Sequence, residues 1–557
     1  MKNVLAKWGL PLLTLFTFFF LLGSRSLNEP DEGRYGEIAR EMIATGDWLV
    51  PHLWYLPHLD KPPMTYWLVA VSMKLFGQNE WAVRLPLALA GISGVWAAFL
   101  LGSSLGGRRV GIWSALILQT SMLYFVMARM LTTDIFLTQF IAWAMYFFWR
   151  SWLCLKNPMP GFLQWHIAGW AAVAMAFLVK GPIALAIPAV ALLVLMIVHR
   201  KEIHSPKLLC AGLLAGFSVF LLLAAPWFLL VFQQVPQSAH YMILGQAAGH
   251  LLGTTIKNRT GNPFYFFGIL AIGLLPWTVL LGWLWRRSEV AKDGRLMLNT
   301  WAIFTFVLFS LSHAKLPAYI LPIFPALAVL LALRFFSGER ILDSMPKIIW
   351  QICLAASLLL PAGFPWALKI AFKDVLPEWM ILQTGILAGI IILILVLSQK
   401  WKIQTLPVVA AGLSLAGFFI VAAEISQFES TLRANQTFKP LALELAKDVQ
   451  PDDAVVCWGK FPEGLPFYSG GAISATHRPY LGDIDLTQVP FEFPGNRERY
   501  GNFLLADQDA LAMLLKSGKK VWFVARGSTL TDFQKAYPTT PLHLVLTDGQ
   551  WNLFVNQ

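Results

Sequence analysis

Apolar stretches of about 18 to 25 residues recur from Trp8 to Ala423, each long enough to cross a bilayer core of roughly 30 Å as a helix. They fall near 8–24, 80–105, 110–127, 134–153, 164–180, 182–199, 208–231, 264–285, 297–312, 316–334, 348–370, 379–398 and 404–423, about thirteen in all. The runs are continuously apolar rather than alternating, which excludes a barrel and leaves helices, whose backbone groups are satisfied within each segment. With 57% hydrophobic and 13% charged residues, an ordinary soluble globule is excluded as well. The expected fold is a polytopic all-α membrane protein of about thirteen transmembrane helices, with interfacial helices outside and a C-terminal α/β soluble domain.

Basic residues set the expected orientation. If the N-terminus is cytoplasmic, the inside connections carry Lys2 and Lys7, Arg108 and Arg109, Arg150 and Lys156, Arg200, Lys201 and Lys207, Arg286 and Arg287, Arg334 and Arg340, and Lys400 and Lys402. Every inside loop is then basic, and an odd number of spans puts the C-terminus outside. The net charge of +12 follows from this topology, so nucleic-acid binding is not required to explain it. Lys2 and Lys7 before an apolar run also suit a signal peptide, but Leu22-Gly23-Ser24 is a poor cleavage site and an uncleaved first span is expected. The four cysteines show no CxxC spacing and suggest neither a disulfide framework nor a zinc site.

Three regions stand out. Residues 1–423 form the membrane domain, with a long outside loop at 25–79 and a second at 232–263. In the first loop Asn28 is expected to cap a helix with Tyr35, Ile38 and Met42 inward, and Pro62-Pro63 opens a second apolar run, Met64–Phe76. Residues 424–557 are expected to be a periplasmic α/β domain. Strands are expected at Ala454–Trp458 and Val521–Ala525, a helix at Gln508–Leu515, and a hairpin joining Leu542–Leu546 to Trp551–Val555 through Asp548-Gly549.

Polar features gather on the expected outside face: Asp31, Arg34 and Tyr35 in the first loop, Asp60-Lys61, Asp134 at a span boundary, Lys180, Arg259 in the second long loop, and Lys315 with Tyr319. Ionisable groups beside a bilayer are expensive and mark chemistry. Lys61, Lys180, Lys315 and Arg259 suit a phosphodiester leaving group whose charge grows as a glycosidic bond breaks, and Asp31 suits a base accepting a proton from the acceptor. Each residue also has a local explanation. Asp31 can be the N3 partner of an Asn28 cap, the lysines can snorkel to headgroups, and Asp134 can be an N-cap. No nucleotide-binding glycine motif is present.

Asn28-Glu29-Pro30-Asp31-Glu32-Gly33-Arg34-Tyr35, Gly46-Asp47-Trp48-Leu49-Val50-Pro51 and Asp60-Lys61-Pro62-Pro63 resemble the opening of the lipid A aminoarabinose transferases. These are membrane glycosyltransferases of the GT-C class that use polyprenyl-phosphate sugars, and they are relatives of the protein O-mannosyltransferases. Residues 174–182 and 311–328 match further blocks of that family. The resemblance implies that Asp31 is the catalytic carboxylate, Asp134 a second functional carboxylate and Lys61 the cation that meets the lipid phosphate. Lys180, Lys315 and Tyr319 then lie around the same cavity. It implies transfer of an aminosugar, 4-amino-4-deoxy-L-arabinose, from undecaprenyl phosphate to lipid A phosphate at the bacterial inner membrane, with no cofactor required. The chain departs from the family in carrying Asp60 where glutamate is common. Where relatives have an acidic residue, a histidine and an arginine in the second loop, it keeps only His250, with Arg259 as a replacement cation. No metal is expected, and Asp60 and His250 are the residues that would serve one. The competing readings are a related transferase acting on another glycan or on protein Ser/Thr, and a lipid-sugar flippase, which would place charges at span centres.

Overall fold

The computed structural model describes residues 2–157, 159–242, 261–284, 291–336, 346–372, 378–427, 437–473, 479–484, 495–505, 508–526 and 542–556. Each of the thirteen expected spans overlaps helical backbone. Among the described residues, six helices are long and apolar enough to cross a bilayer, including Glu80–Gly106, Pro206–Gln234 and Pro317–Phe336; shorter apolar helices include Ile183–Val198 and Thr384–Ser398. The multi-pass membrane character is therefore carried by the helices themselves. Two of the expected spans are interrupted. The third divides into Arg108–Gln119 and Met122–Met127 around Thr120-Ser121. The eighth divides into Tyr265–Gly273 and a 3-10 segment, Trp277–Trp283, because Pro276 has no N–H to continue an α-helix.

The chain forms two compact units. The first comprises residues 1–21, 87–228 and 243–424; the second comprises 22–86, 229–242 and 425–557. In the first unit the helices Asp134–Lys156 and Phe162–Lys180 pack as an antiparallel pair, an arrangement that buries Ile135, Ala142, Ala174 and Val179.

In the second unit the first loop forms a helix, Asp31–Thr45, that ends at Gly46 in the left-handed conformation, whose N–H reaches the Met42 carbonyl. A two-stranded hairpin follows, β1 (His52–Leu53) and β2 (Leu56–Pro57), and then the helix Met64–Phe76 behind Pro62-Pro63. The expected Asn28 side-chain cap is not made. The helix starts at Asp31 without a side-chain cap, and the Asn28 carbonyl accepts from the N–H groups of Glu32 and Gly33 instead.

Residues 437–556 carry a six-stranded sheet in the order β5-β4-β3-β6-β8-β7. Its strands are β3 (Ala454–Trp458), β4 (Tyr480–Gly482), β5 (Leu504–Leu505), β6 (Val521–Arg526), β7 (His543–Asp548) and β8 (Trp551–Val555). β3 to β6 run parallel, and β7–β8 is the expected hairpin with Gly549 at positive φ. Val456, Leu505, Leu511, Leu514, Phe523 and Phe554 make its core. Within the same unit this sheet region is bonded to the first loop. The Tyr468 hydroxyl accepts from the Leu27 N–H at 2.7 Å, Asn496 Nδ2 donates to the Pro57 carbonyl at 2.9 Å, and Lys439 pairs with Glu80, the residue that follows the loop.

Candidate active site

The structure gathers one set of the expected site residues at the start of the first-loop helix. Asp31 opens that helix with its side chain 47% exposed, and Arg34, one turn on, brings Nη1 to 3.9 Å from Asp31 Oδ1. The reach-back to backbone that sequence assigned to Asp31 is made by its neighbour: Glu32 Oε2 accepts from the Asn28 N–H at 3.0 Å. Glu32 is buried between two arginines. Arg84 donates through Nε at 3.0 Å and Nη2 at 2.9 Å, and Arg25 Nη2 donates at 3.1 Å. Burial alone would raise the Glu32 carboxyl, but the charges and hydrogen bonds of Arg25 and Arg84 hold it well below the carboxylate range. Arg84 also collects the carbonyls of Arg25 and Ser26, at 2.6 and 2.8 Å. Asp31 is thereby left outside the structural ion pair beneath it.

The segment His58–Lys61 belongs to the same cluster. Asp60 accepts from the Tyr241 hydroxyl and lies 3.6 Å from His58 Nε2, and Lys61 Nζ donates to the Asp60 carbonyl oxygen at 2.9 Å. Burial pushes His58 down to about 4 against the pull of Asp60, so its imidazole is neutral near pH 7. Burial would raise Asp60, yet His58, Lys61, the Tyr241 hydroxyl and Arg34 together hold it well below the carboxylate range. With His58 uncharged near neutrality, Lys61, Tyr241 and Arg34 are what keep that carboxylate ionised. Tyr35 stacks on Tyr66 with ring centroids 5.4 Å apart.

In the first unit, Lys180, last residue of its helix, donates to Asp134 Oδ1 at 2.5 Å; Asp134 is the first residue of the partner helix. Both side chains are largely buried, at 13% and 7% exposure, and a pair so placed is held by its geometry. The Lys180 ammonium also lies 4.6 Å from the centre of the Tyr319 ring. Lys315 Nζ donates to the Phe309 and Ser310 carbonyls, at 2.8 and 2.6 Å, at the C-terminal end of the helix Lys292–Leu311. Arg259 and His250 lie outside the described residues.

Among the described residues, His199, Glu202 and Asp293 form a group with metal-ligand spacing. Lys156 Nζ occupies the position between its carboxylates, 2.6 Å from Glu202 and 2.7 Å from Asp293, so the arrangement is a closed ion-pair network.

Sequence reasoning did not foresee Tyr241 against Asp60, or Glu463, whose carboxylate takes the Arg34 guanidinium at 2.5 and 2.8 Å across 429 positions of chain. Neither residue sits in a motif. Only the fold brings them to the loop.

A family model described as dolichyl-phosphate-mannose-protein mannosyltransferase matches residues 60–228. Over 383 residues the chain is 34% identical to the undecaprenyl phosphate-α-4-amino-4-deoxy-L-arabinose arabinosyl transferase of Edwardsiella ictaluri, covering 66% of this chain and 67% of that one. It is 35% identical to the protein of the same name from Aeromonas salmonicida over 339 residues, 59% of each. The matches thus span about three fifths to two thirds of these curated relatives. The crystal structure of ArnT from Cupriavidus metallidurans bound to undecaprenyl phosphate superposes with a TM-score of 0.77 at 25% identity, covering 98% of this chain and 97% of that one. The apo form of that protein gives 0.79 at 24% identity. Fold and sequence likeness together define a GT-C membrane glycosyltransferase. Within that class, the chain belongs to the family of undecaprenyl phosphate-4-amino-4-deoxy-L-arabinose arabinosyl transferases.

Proposed function

We propose that this protein transfers 4-amino-4-deoxy-L-arabinose, with inversion, from undecaprenyl phosphate to a phosphate group of lipid A. The observation that carries this reading is the likeness, along 98% of the chain, to a protein crystallised with undecaprenyl phosphate. In the reaction the acceptor phosphate oxygen attacks the anomeric carbon, the bond to the undecaprenyl phosphate oxygen breaks, and negative charge grows on the departing phosphate. Asp31 is the base that takes the acceptor proton, a role consistent with its exposure and with Glu32 bearing the structural load beside it. Lys61 meets the lipid phosphate, and Arg34 and Tyr35 belong to the same first-loop set. Asp134 is the second functional carboxylate. Lys180, Lys315, Tyr319 and Arg259 are further substrate-binding groups, the cations among them suited to a phosphate.

The basic loops favour a cytoplasmic N-terminus in the bacterial inner membrane, with residues 1–423 as the transferase domain and 424–557 in the periplasm. An aminosugar on lipid A would lower its negative charge and its attraction for cationic peptides. The test is transfer by purified protein from undecaprenyl-phosphate aminoarabinose to lipid A, comparing wild type with Asp31→Asn. Undiminished transfer by the variant rejects Asp31 as the base.

A second reading follows from the family model over residues 60–228: a sugar transferred to another glycan or to protein Ser/Thr. Mass spectra of lipid A from cells with and without the gene separate the two. Identical lipid A favours the second.

A further inference from the structure

Glu463 lies after β3 in the loop that leads to Gly464, and its carboxylate forms a two-pronged clamp on Arg34. Nε meets Oε2 at 2.5 Å and Nη2 meets Oε1 at 2.8 Å. The third guanidinium nitrogen, Nη1, stands 3.9 Å from Asp31. One arginine therefore serves two carboxylates unequally: a full fork for Glu463, which is 3% exposed, and a loose contact for Asp31.

The clamp is held in register by backbone. The Gly464 N–H donates to Glu29 Oε1 at 2.8 Å, and Gly33 and Gly464 approach so closely that a Cβ on either would sit 3.0 Å from the other's Cα and overlap the Glu29 carboxyl. Burial and the neighbouring Glu463 push Glu29 up to about 8; burial raises Glu463 as well, but the charge and hydrogen bonds of Arg34 and the charge of Lys460 oppose it, so of the two carboxyls Glu463 is the one that faces Arg34 as its partner.

We infer that Glu463 is a positioning residue for the catalytic base: by occupying the fork of Arg34 it keeps that arginine from closing on Asp31. A carboxylate locked two-pronged on an arginine is stabilised as the anion and is a weaker base, by about one to three pKa units for a close pair. With its fork taken by Glu463, Arg34 reaches Asp31 only through Nη1, at 3.9 Å. The inference rests on Asp31 being the base.

The experiment compares pH–rate profiles for transfer by the full-length protein, using undecaprenyl-phosphate aminoarabinose and lipid A, in wild type, Glu463→Gln, Glu463→Asp, Arg34→Gln and the Arg34→Gln/Glu463→Gln double variant. Glu463→Gln is expected to lower kcat about tenfold and move the acidic limb down by about one unit or more, with donor KM within about twofold. Glu463→Asp, which keeps the charge, recovers part of the limb. In the Arg34→Gln background, Glu463→Gln moves the limb no further, because the effect passes through the arginine. An unmoved limb in Glu463→Gln, including a loss of rate that only tracks a loss of folded protein, overturns the inference. So does a limb shift that persists without Arg34. Asp31→Asn separates the two claims. If it is inactive while Glu463→Gln keeps the wild-type limb, the positioning role alone fails; if it is fully active, the base assignment fails.

Discussion

Glu29→Gln removes a carboxyl that the fold holds protonated. Burial first, then the neighbouring Glu463, push Glu29 from its ordinary 4.5 up to about 8. Between those two values the folded protein keeps a proton that the unfolded chain has released. Stability therefore falls as pH rises through that window and is level, for this group, below and above it. The interval of about three and a half units, at about 1.4 kcal/mol each, amounts to roughly 5 kcal/mol at full ionisation. Gln has the same shape and its carbonyl can accept the Gly464 N–H, but it has no proton to lose. The variant should match the wild type at pH 5 and exceed it at pH 9, by about 10 °C or more in midpoint for a unit of this size. The buried thiol of Cys457, in β3 of the same unit, provides the readout. With the other three cysteines replaced by Ala, its labelling by a thiol-reactive dye during a thermal ramp reports when this unit opens. Equal falls in midpoint from pH 5 to pH 9 in both proteins would refute the reasoning.

Three other outcomes are expected. Arg84→Ala leaves Glu32 buried with Arg25 as its remaining arginine and strips the carbonyls of Arg25 and Ser26 of a donor; it should cost about 3–5 kcal/mol, read by the same Cys457 assay, with Arg84→Lys intermediate. Gly464→Ala forces a methyl against Glu29 and Gly33 and should destabilise by about 1–3 kcal/mol; a neutral result in that assay would mean the two backbones are not in contact. Asp134→Asn and Lys180→Met should each reduce transfer sharply, while the double variant loses less than the product of the singles; strictly multiplicative losses would show that the 2.5 Å pair is not energetically coupled.

How much could be read in advance depended on how local each determinant is. The spans and the helix behind Pro62-Pro63 were legible because hydropathy and proline geometry act within a few residues. The strand Ala454–Trp458 and the turn at Asp548-Gly549 carried equally local signals. β4 and β5, at three and two residues, carried none, since they exist only by pairing with a neighbour. The β1–β2 turn was hidden for another reason. It places Trp54 and Tyr55 at positive φ, with no Asn-Gly or Asp-Gly to announce it. Its hold comes from elsewhere in the unit: the Trp54 ring packs tilted against Phe461 with centroids 5.2 Å apart, and the Tyr55 N–H donates to Glu41 at 2.8 Å. Among the polar residues, type and spacing drew attention to Asp31 and Lys61, but not to the roles of their neighbours, and for Arg34 they suggested a local helix pair rather than the fork on Glu463. The motif drew attention to Asp31 as a possible cap partner, whereas Glu32 took that duty because Arg25 and Arg84 flank it.

Arg84 has a consequence for the order in which the protein is made. Among the described residues, its side-chain hydrogen-bond partners, the carbonyls of Leu22, Arg25 and Ser26 and the carboxylate of Glu32, all precede it in the chain, so the cluster at the base of the first loop can form once Arg84 has been made. Arg34 waits for Glu463, near the end of synthesis. A nascent chain thus carries a shaped loop through most of its elongation, with the fork beside Asp31 taken only when translation is nearly done.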